Sequence, residues 1–362
     1  DSLFLYNSTF IADSSQGGGA VELGGGKYYH LDGNVMENNY SADGPGAINL
    51  WDNEKVEIID SKFISNKSVN DGGAIYSWNT DSLFIKNSTF DGNESTDGNG
   101  GAMTFKGDEN STLYCEIRNT TFENNSGGWG GAIAAFEPID MNIDSVFATG
   151  NEASGNGGFI ELCCGASVSI TNSTIYNNET NNNDLNVDGE SNLSIKNSII
   201  WQDIIGGNTN ATIEVTYSDV EGGFTGIGNI NSNPLFCNPD SSDYNLAENS
   251  PCIGTGENGE DMGAFGIGCS AILAVEEEFI PTEFALHQNY PNPFNPVTTI
   301  QYDIPEAGEM RLDVYNILGE RVATLAQGNH HVGRYTIRWD AAGISSGMYF
   351  YRISSAKFTA TK

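Results

Sequence analysis

Asp43, Asp71 and Asp97 each stand directly before a glycine, at steps of 28 and 26 residues. If the chain coils with that period, the three carboxylates align in a row. Rows of hard oxygen donors are what Ca²⁺ takes as ligands. Asp-Gly is also ordinary turn chemistry, so the row reads either as a Ca²⁺ site or as stacked turns, and no other cofactor is called for. A polysaccharide lyase would add a Lys or Arg to move or steady a proton beside an acidic sugar. The basic residues before position 276 are Lys27, Lys55, Lys62, Lys67, Lys86, Lys106, Arg118 and Lys196. They lie scattered among acids that would repel such a substrate. A glycoside hydrolase needs two carboxylates across a cleft, and with 48 Asp and Glu some pair always qualifies, so that signal decides nothing. Around His30, His287, His330 and His331 no Ser-His-Asp or metal-ligand set can be assembled.

Six cysteines add a second kind of chemistry. Cys237, Cys252 and Cys269 cluster late in the chain, which fits a disulfide formed in an oxidising compartment. Cys252 paired with Cys237 or Cys269 is the expected staple. Cys115 falls on an inward phase and reads as a buried thiol. Cys163 and Cys164 should face opposite ways, leaving one exposed.

These residues must be positioned by elements, and the elements repeat. Asn7-Ser8-Thr9-Phe10, Asp60-Ser61-Lys62-Phe63, Asn87-Ser88-Thr89-Phe90, Asn119-Thr120-Thr121-Phe122, Asp144-Ser145-Val146-Phe147 and Asn172-Ser173-Thr174-Ile175 align, with Met36 in the same slot. Gly72-Gly73-Ala74-Ile75, Gly100-Gly101-Ala102-Met103 and Gly130-Gly131-Ala132-Ile133 keep the same beat. So does an alternating element such as Val56-Glu57-Ile58 or Leu83-Phe84-Ile85, the period-two sign of a strand with one buried face. About three strands per repeat, with no helix between them, predict an all-β right-handed parallel β-helix of about ten coils. Its interior would hold ladders of like residues, one running Phe10, Met36, Phe63, Phe90, Phe122, Phe147, Ile175, Ile200. Asn66, Asn93, Asn125, Asn151 and Asn178 would stack at a turn.

Charge narrows the partners. The net charge is −33. Nucleic acid needs clustered Lys and Arg, and anionic membrane surfaces repel such a chain. No stretch is long and apolar enough to span a membrane.

The paired elements, as in Phe63…Asn66 with Gly72–Ile75, resemble the repeats of chlamydial polymorphic outer-membrane proteins and of bacterial β-helix proteins related in fold to pectate lyases. The resemblance covers residues 1 to about 200 and implies a fold rather than an activity. Repeats fill 1–211, residues 212–270 close the last coils as a cap, and 271–283 read as a linker. Residues 284–362 change pattern to a small antiparallel β-sandwich, Ig-like in class. There, Tyr290-Pro291-Asn292-Pro293-Phe294-Asn295-Pro296, a turn with Gly319, and Gly347-Met348-Tyr349 resemble the type IX secretion system C-terminal sorting domain. That resemblance implies export across the outer membrane of a Gram-negative bacterium of the Bacteroidetes group, to the surface or the medium, with the secretion machinery as partner. Family members end with one more short basic-apolar strand, which is expected to be missing at Lys362.

The expected function is a secreted or cell-surface adhesive or structural protein without enzymatic activity. Surface glycans or other copies of itself are its expected partners. The start at Asp1 inside a repeat reads as a truncation or as an open edge for end-to-end fibre assembly. The alternative is a polysaccharide lyase or glycoside hydrolase, which a long loop walling a cleft with Lys or Arg beside Asp would favour.

Overall fold

The computed structural model describes residues 2–107, 112–180, 182–201, 203, 205–208, 210–272, 283–294, 296–330, 332–345, 347–355 and 357–362. They form two compact units, Asp1–Ile272 and Leu273–Lys362. Most of the expected linker, residues 273–282, lies outside the described residues, as do Asn295 and His331.

One coil shows how the sequence builds the first unit. In Lys55–Ile59, Val56 and Ile58 point inward while Lys55, Glu57 and Ile59 point out. Asp60 then bends the chain in the left-handed region, at φ 49°. Lys62–Ile64 follows with Phe63 inward, then the two-residue strand Lys67–Ser68, then Ile75–Trp78. Each of these strands pairs in parallel with its equivalent in the next coil. The result is a parallel β-solenoid of four sheets with nine, nine, six and eight strands among the described residues. Where the repeat suggests about three strands per coil and about ten coils, the described residues show up to four strands per coil in about seven turns. The Lys67–Ser68 type of strand is too short to display an alternation.

The turns explain the unusual composition. Asn7, Asp60, Asn87, Asn119, Asn172 and Asn197 occupy the first bend, with φ between 47° and 52°, a region that Asn and Asp tolerate better than most side chains. In the Gly-Gly motif the two glycines do different things. Gly100 takes a φ of 62°, and a Cβ on Gly101 would meet the Gly131 carbonyl of the next coil at 2.1 Å.

Ladders of like residues fill the interior, aliphatic ones from the first and fourth sheets and three of other kinds. Phe10, Met36, Phe63, Phe90 and Phe122 sit in register. The rings of Phe63 and Phe90 stack at 4.6 Å and those of Phe90 and Phe122 at 5.1 Å. The next rung is Ala148, not Phe147. Ser145 rather than Asp144 takes the left-handed bend (φ 56°), which shifts the register by one and turns Phe147 outward. The second ladder is amide: Asn39, Asn66, Asn93, Asn125, Asn151 and Asn178 each donate from Nδ2 to the Oδ1 of the next rung, at 2.7–3.1 Å, ending on Asp203. The third is hydroxyl: Ser61, Ser88, Ser173 and Ser198 each accept from a backbone N–H one coil before.

The segment expected to cap the last coil does more than that. Phe224 packs against the core and Ile230 bridges Asp219. The chain then runs back along the outside of the second sheet. Phe236 and Tyr244 pack on Tyr176, and Tyr244 and Phe265 on Phe147. The outward slip of Phe147 therefore has a partner.

The second unit is antiparallel throughout. Ala285–Leu286, Val297–Ile304 and Gly333–Asp340 form one sheet; Arg321–His330, Gly308–Asn316, Tyr349–Ser355 and Thr359–Thr361 form the other. Ile300, Tyr302, Leu312, Val314, Trp339 and Ile353 are buried in its core. Lys357-Phe358 leads into a short strand, Thr359–Thr361, which pairs with Arg352–Ser354.

Candidate ligand-binding face

The outward positions of the first sheet divide sharply along the coil axis. In the last four coils they are mostly small and polar: Asn142, Ser167, Ser169, Thr171, Asn192, Ser194. In the first five they are large: Phe4, Tyr6, Tyr28, His30, Lys55, Glu57, Phe84, Lys86, Tyr114, Glu116 and Arg118. A solvent-facing strand has no packing need for such side chains.

These residues form one network. Glu57 accepts from Tyr28 Oη at 2.5 Å and from Lys55 Nζ at 2.7 Å, and His30 Nδ1 lies 3.0 Å away. Burial alone would raise the Glu57 carboxyl, but hydrogen bonds from Lys55, Tyr28 and His30 outweigh it and bring it down to about 2. The same hydrogen bond, with burial, pushes the Tyr28 phenol up to about 12. The Lys55 ammonium sits 5.2 Å from the Tyr28 ring centroid and 5.0 Å from that of Phe84, which is cation–π range. Two coils beyond Glu57, Glu116 binds Lys86 at 3.3 Å and Arg118 at 3.0 Å, and the Phe84 and Tyr114 rings meet at 5.8 Å. The cations judged scattered in the sequence are thus gathered here, because strand register places Lys86 beside Arg118. The signal was present: Lys55, Lys86 and Arg118 each flank an alternating triplet.

The aspartate row behaves differently. Asp43, Asp71 and Asp97 do line one groove of about 490 Å³, with Asn49, Asn70, Tyr76 and Asn99. They do not form a cation cage. Asp71 Oδ1 accepts from both nitrogens of Asn99 at 2.9 Å, and its Oδ2 holds Lys106 Nζ at 2.5 Å. Among the described residues no three His, Cys, Asp or Glu groups converge as a metal centre. Burial, with the Asp71 charge, raises the Tyr76 phenol to about 12. Two residues along the same strands, Trp51 and Trp78 stand in register and exposed.

The cysteine pairing also differs from expectation. Cys237 bonds Cys269, and Cys252 stays a buried free thiol donating to Asp219 Oδ2 at 3.2 Å. Cys163 and Cys164 bond each other rather than facing apart. Cys115 is a free buried thiol.

In the second unit, Asn292, Pro293, Phe294, Pro296, Gly347 and Tyr349 line a common groove of about 490 Å³ with Trp339 and Tyr351. Asn289 holds it in shape: its N–H donates to Tyr351 Oη at 2.8 Å and its amide to Thr298 Oγ1 at 2.9 Å. Tyr290 is 82% exposed. Pro291 accepts from Asn289 and Thr298. Gly319, at φ 78°, makes the separate Asn316–Glu320 turn.

No helix among the described residues is long and apolar enough to cross a membrane. None of the curated proteins matches the chain. Residues 288–362 match the family described as the secretion system C-terminal sorting domain. The chain therefore carries a type IX sorting domain behind a parallel β-solenoid, and its destination is the cell surface or extracellular space of a Bacteroidetes bacterium.

Proposed function

We propose that the exported solenoid is an adhesive protein that binds through the outer face of its first sheet and catalyses no reaction. The aromatic and ionic network from Tyr28 to Arg118 is the observation that carries this reading. Its carboxylates support binding rather than hydrolysis. Glu57 is held far below the range a general acid needs. Glu161, raised by burial and by Asp188 to about 7 despite hydrogen bonds from Asn186, is only 3% exposed.

A second reading, a polysaccharide lyase, draws support from Lys106 beside Asp71 and Tyr76 in the aspartate groove. End-to-end assembly is a variant of the structural role. One set of assays separates them. Purified chain is tested for retention on surfaces coated with polysaccharide or with protein, for release of unsaturated sugars, and for filaments by electron microscopy. Retention without product supports adhesion. Product that Lys106→Ala abolishes replaces it with the lyase. Filaments would add self-assembly, and isolated rods would remove it.

A further inference from the structure

We infer that the first-sheet face binds a linear, uncharged polysaccharide lying parallel to the coil axis. This rests on the adhesive reading and names its ligand. Along the axis, rings and ions recur coil after coil: Tyr28 with His30, then Lys55 with Glu57, then Phe84 with Lys86, then Tyr114 with Glu116 and Arg118. Coils repeat at about 4.8 Å, so the five coils present a strip about 19 Å long. An extended sugar chain offers partners for both along its length. Each pyranose offers an apolar face of C–H groups, which packs on an aromatic ring, and equatorial hydroxyls, which need fixed charged or polar partners.

The charge state selects among polysaccharides. Each cation is already paired: Lys55 with Glu57, Lys86 and Arg118 with Glu116. Three cations share two carboxylates, so the network offers uronate or sulfate groups one positive charge at most, and the chain as a whole stands at −33, which repels anionic chains. Hydroxyls can still share these ion pairs, because carboxylate oxygens and guanidinium N–H groups hold more hydrogen bonds than one partner uses. The rings are fixed beforehand by the strands and by Lys55, which bridges Tyr28 and Phe84, so little side-chain freedom is lost on binding.

The test uses the full chain in affinity gel electrophoresis against soluble mixed-linkage β-glucan, xyloglucan and galactomannan, with alginate and polygalacturonate as anionic probes. Retardation by at least one neutral probe and by neither anionic one is expected. Replacing both rings (Phe84→Ala with Tyr114→Ala) should weaken it about tenfold or more, with folding checked by the unfolding midpoint. Ser169→Ala with Ser194→Ala, in the small-residue half, should leave it unchanged. Retardation by the anionic probes alone, or undiminished binding by the ring variant, overturns the inference. If no polysaccharide retards the chain while it still adheres to protein surfaces, the ligand assignment fails and adhesion stands. If it adheres to nothing, both fail.

Discussion

Asp203 ends the asparagine ladder with a carboxylate where every coil before it places an amide. It accepts from Asn178 Nδ2 at 3.1 Å and from the Asn178 N–H at 3.0 Å, and its other oxygen has no hydrogen-bond partner among the described residues. Burial, with the charge of Asp184, holds its pKa well above the ordinary value. Such a group binds its proton more tightly folded than unfolded. Its favourable contribution is present below the ordinary carboxylate pKa of about 4 and is lost as pH rises through the raised value. Glu161, at about 7, acts in the same direction. Asp203→Asn should therefore continue the ladder and stabilise the solenoid at pH 8 by about 1–2 kcal/mol, and by less at pH 4. Thermal unfolding at the two pH values checks this; an equal effect at both would exclude the charge argument. Asn93 is the opposite case. It accepts from the Asn66 N–H and Nδ2 and donates to Phe63 O and Asn125. Asn93→Ala leaves several buried groups unpaired, and a loss of about 3–5 kcal/mol in urea unfolding is expected. Stacked Asn was legible from the sequence because its spacing follows the repeat. Asp203 was not, because the repeat loses its pattern where the ladder ends.

Among elements, turns carry the most sequence information and outward strand positions the least. Gly101→Ala should destabilise strongly, since the Gly131 carbonyl cannot move without shifting the next coil. Gly17→Ala, with nothing within 4 Å, should change stability by less than about 0.5 kcal/mol. Comparable unfolding midpoints for the two variants would contradict this account of the Gly-Gly motif. Left-handed Asn and paired glycines recur because backbone geometry admits few substitutes, so the coil was readable from them. Register was less secure. One residue's slip at Ser145 turned Phe147 outward, and a pattern search reads Phe147 as a core rung because Phe suits either place. The binding face was hidden for a related reason. Outward positions need not repeat, so Lys55, Lys86 and Arg118 look dispersed until pairing aligns them. The Cys237–Cys269 bond encloses a separation of 32 residues, and removing it should cost about 3–4 kcal/mol. The loss should appear as faster proteolysis within 233–269, while the coils keep their protection.

At the scale of the molecule, the two units divide the labour. Residues 288–362 carry the export signal, and the solenoid supplies a stiff surface on which a ligand can lie along many coils. The chain's net charge of −33 keeps its copies apart in solution, while on the first-sheet face Lys55, Lys86 and Arg118 are held by Glu57 and Glu116. Adhesion should therefore depend weakly on ionic strength, unlike binding steered by unpaired charge. The most direct measurement is hydroxyl-radical footprinting of the full chain with and without a saturating soluble β-glucan. Protection at Tyr28, Phe84 and Tyr114, with Trp51 and Trp78 unchanged, is the result this account predicts. Protection at the two tryptophans with the first-sheet rings still reactive would contradict it and move the binding site to the aspartate groove.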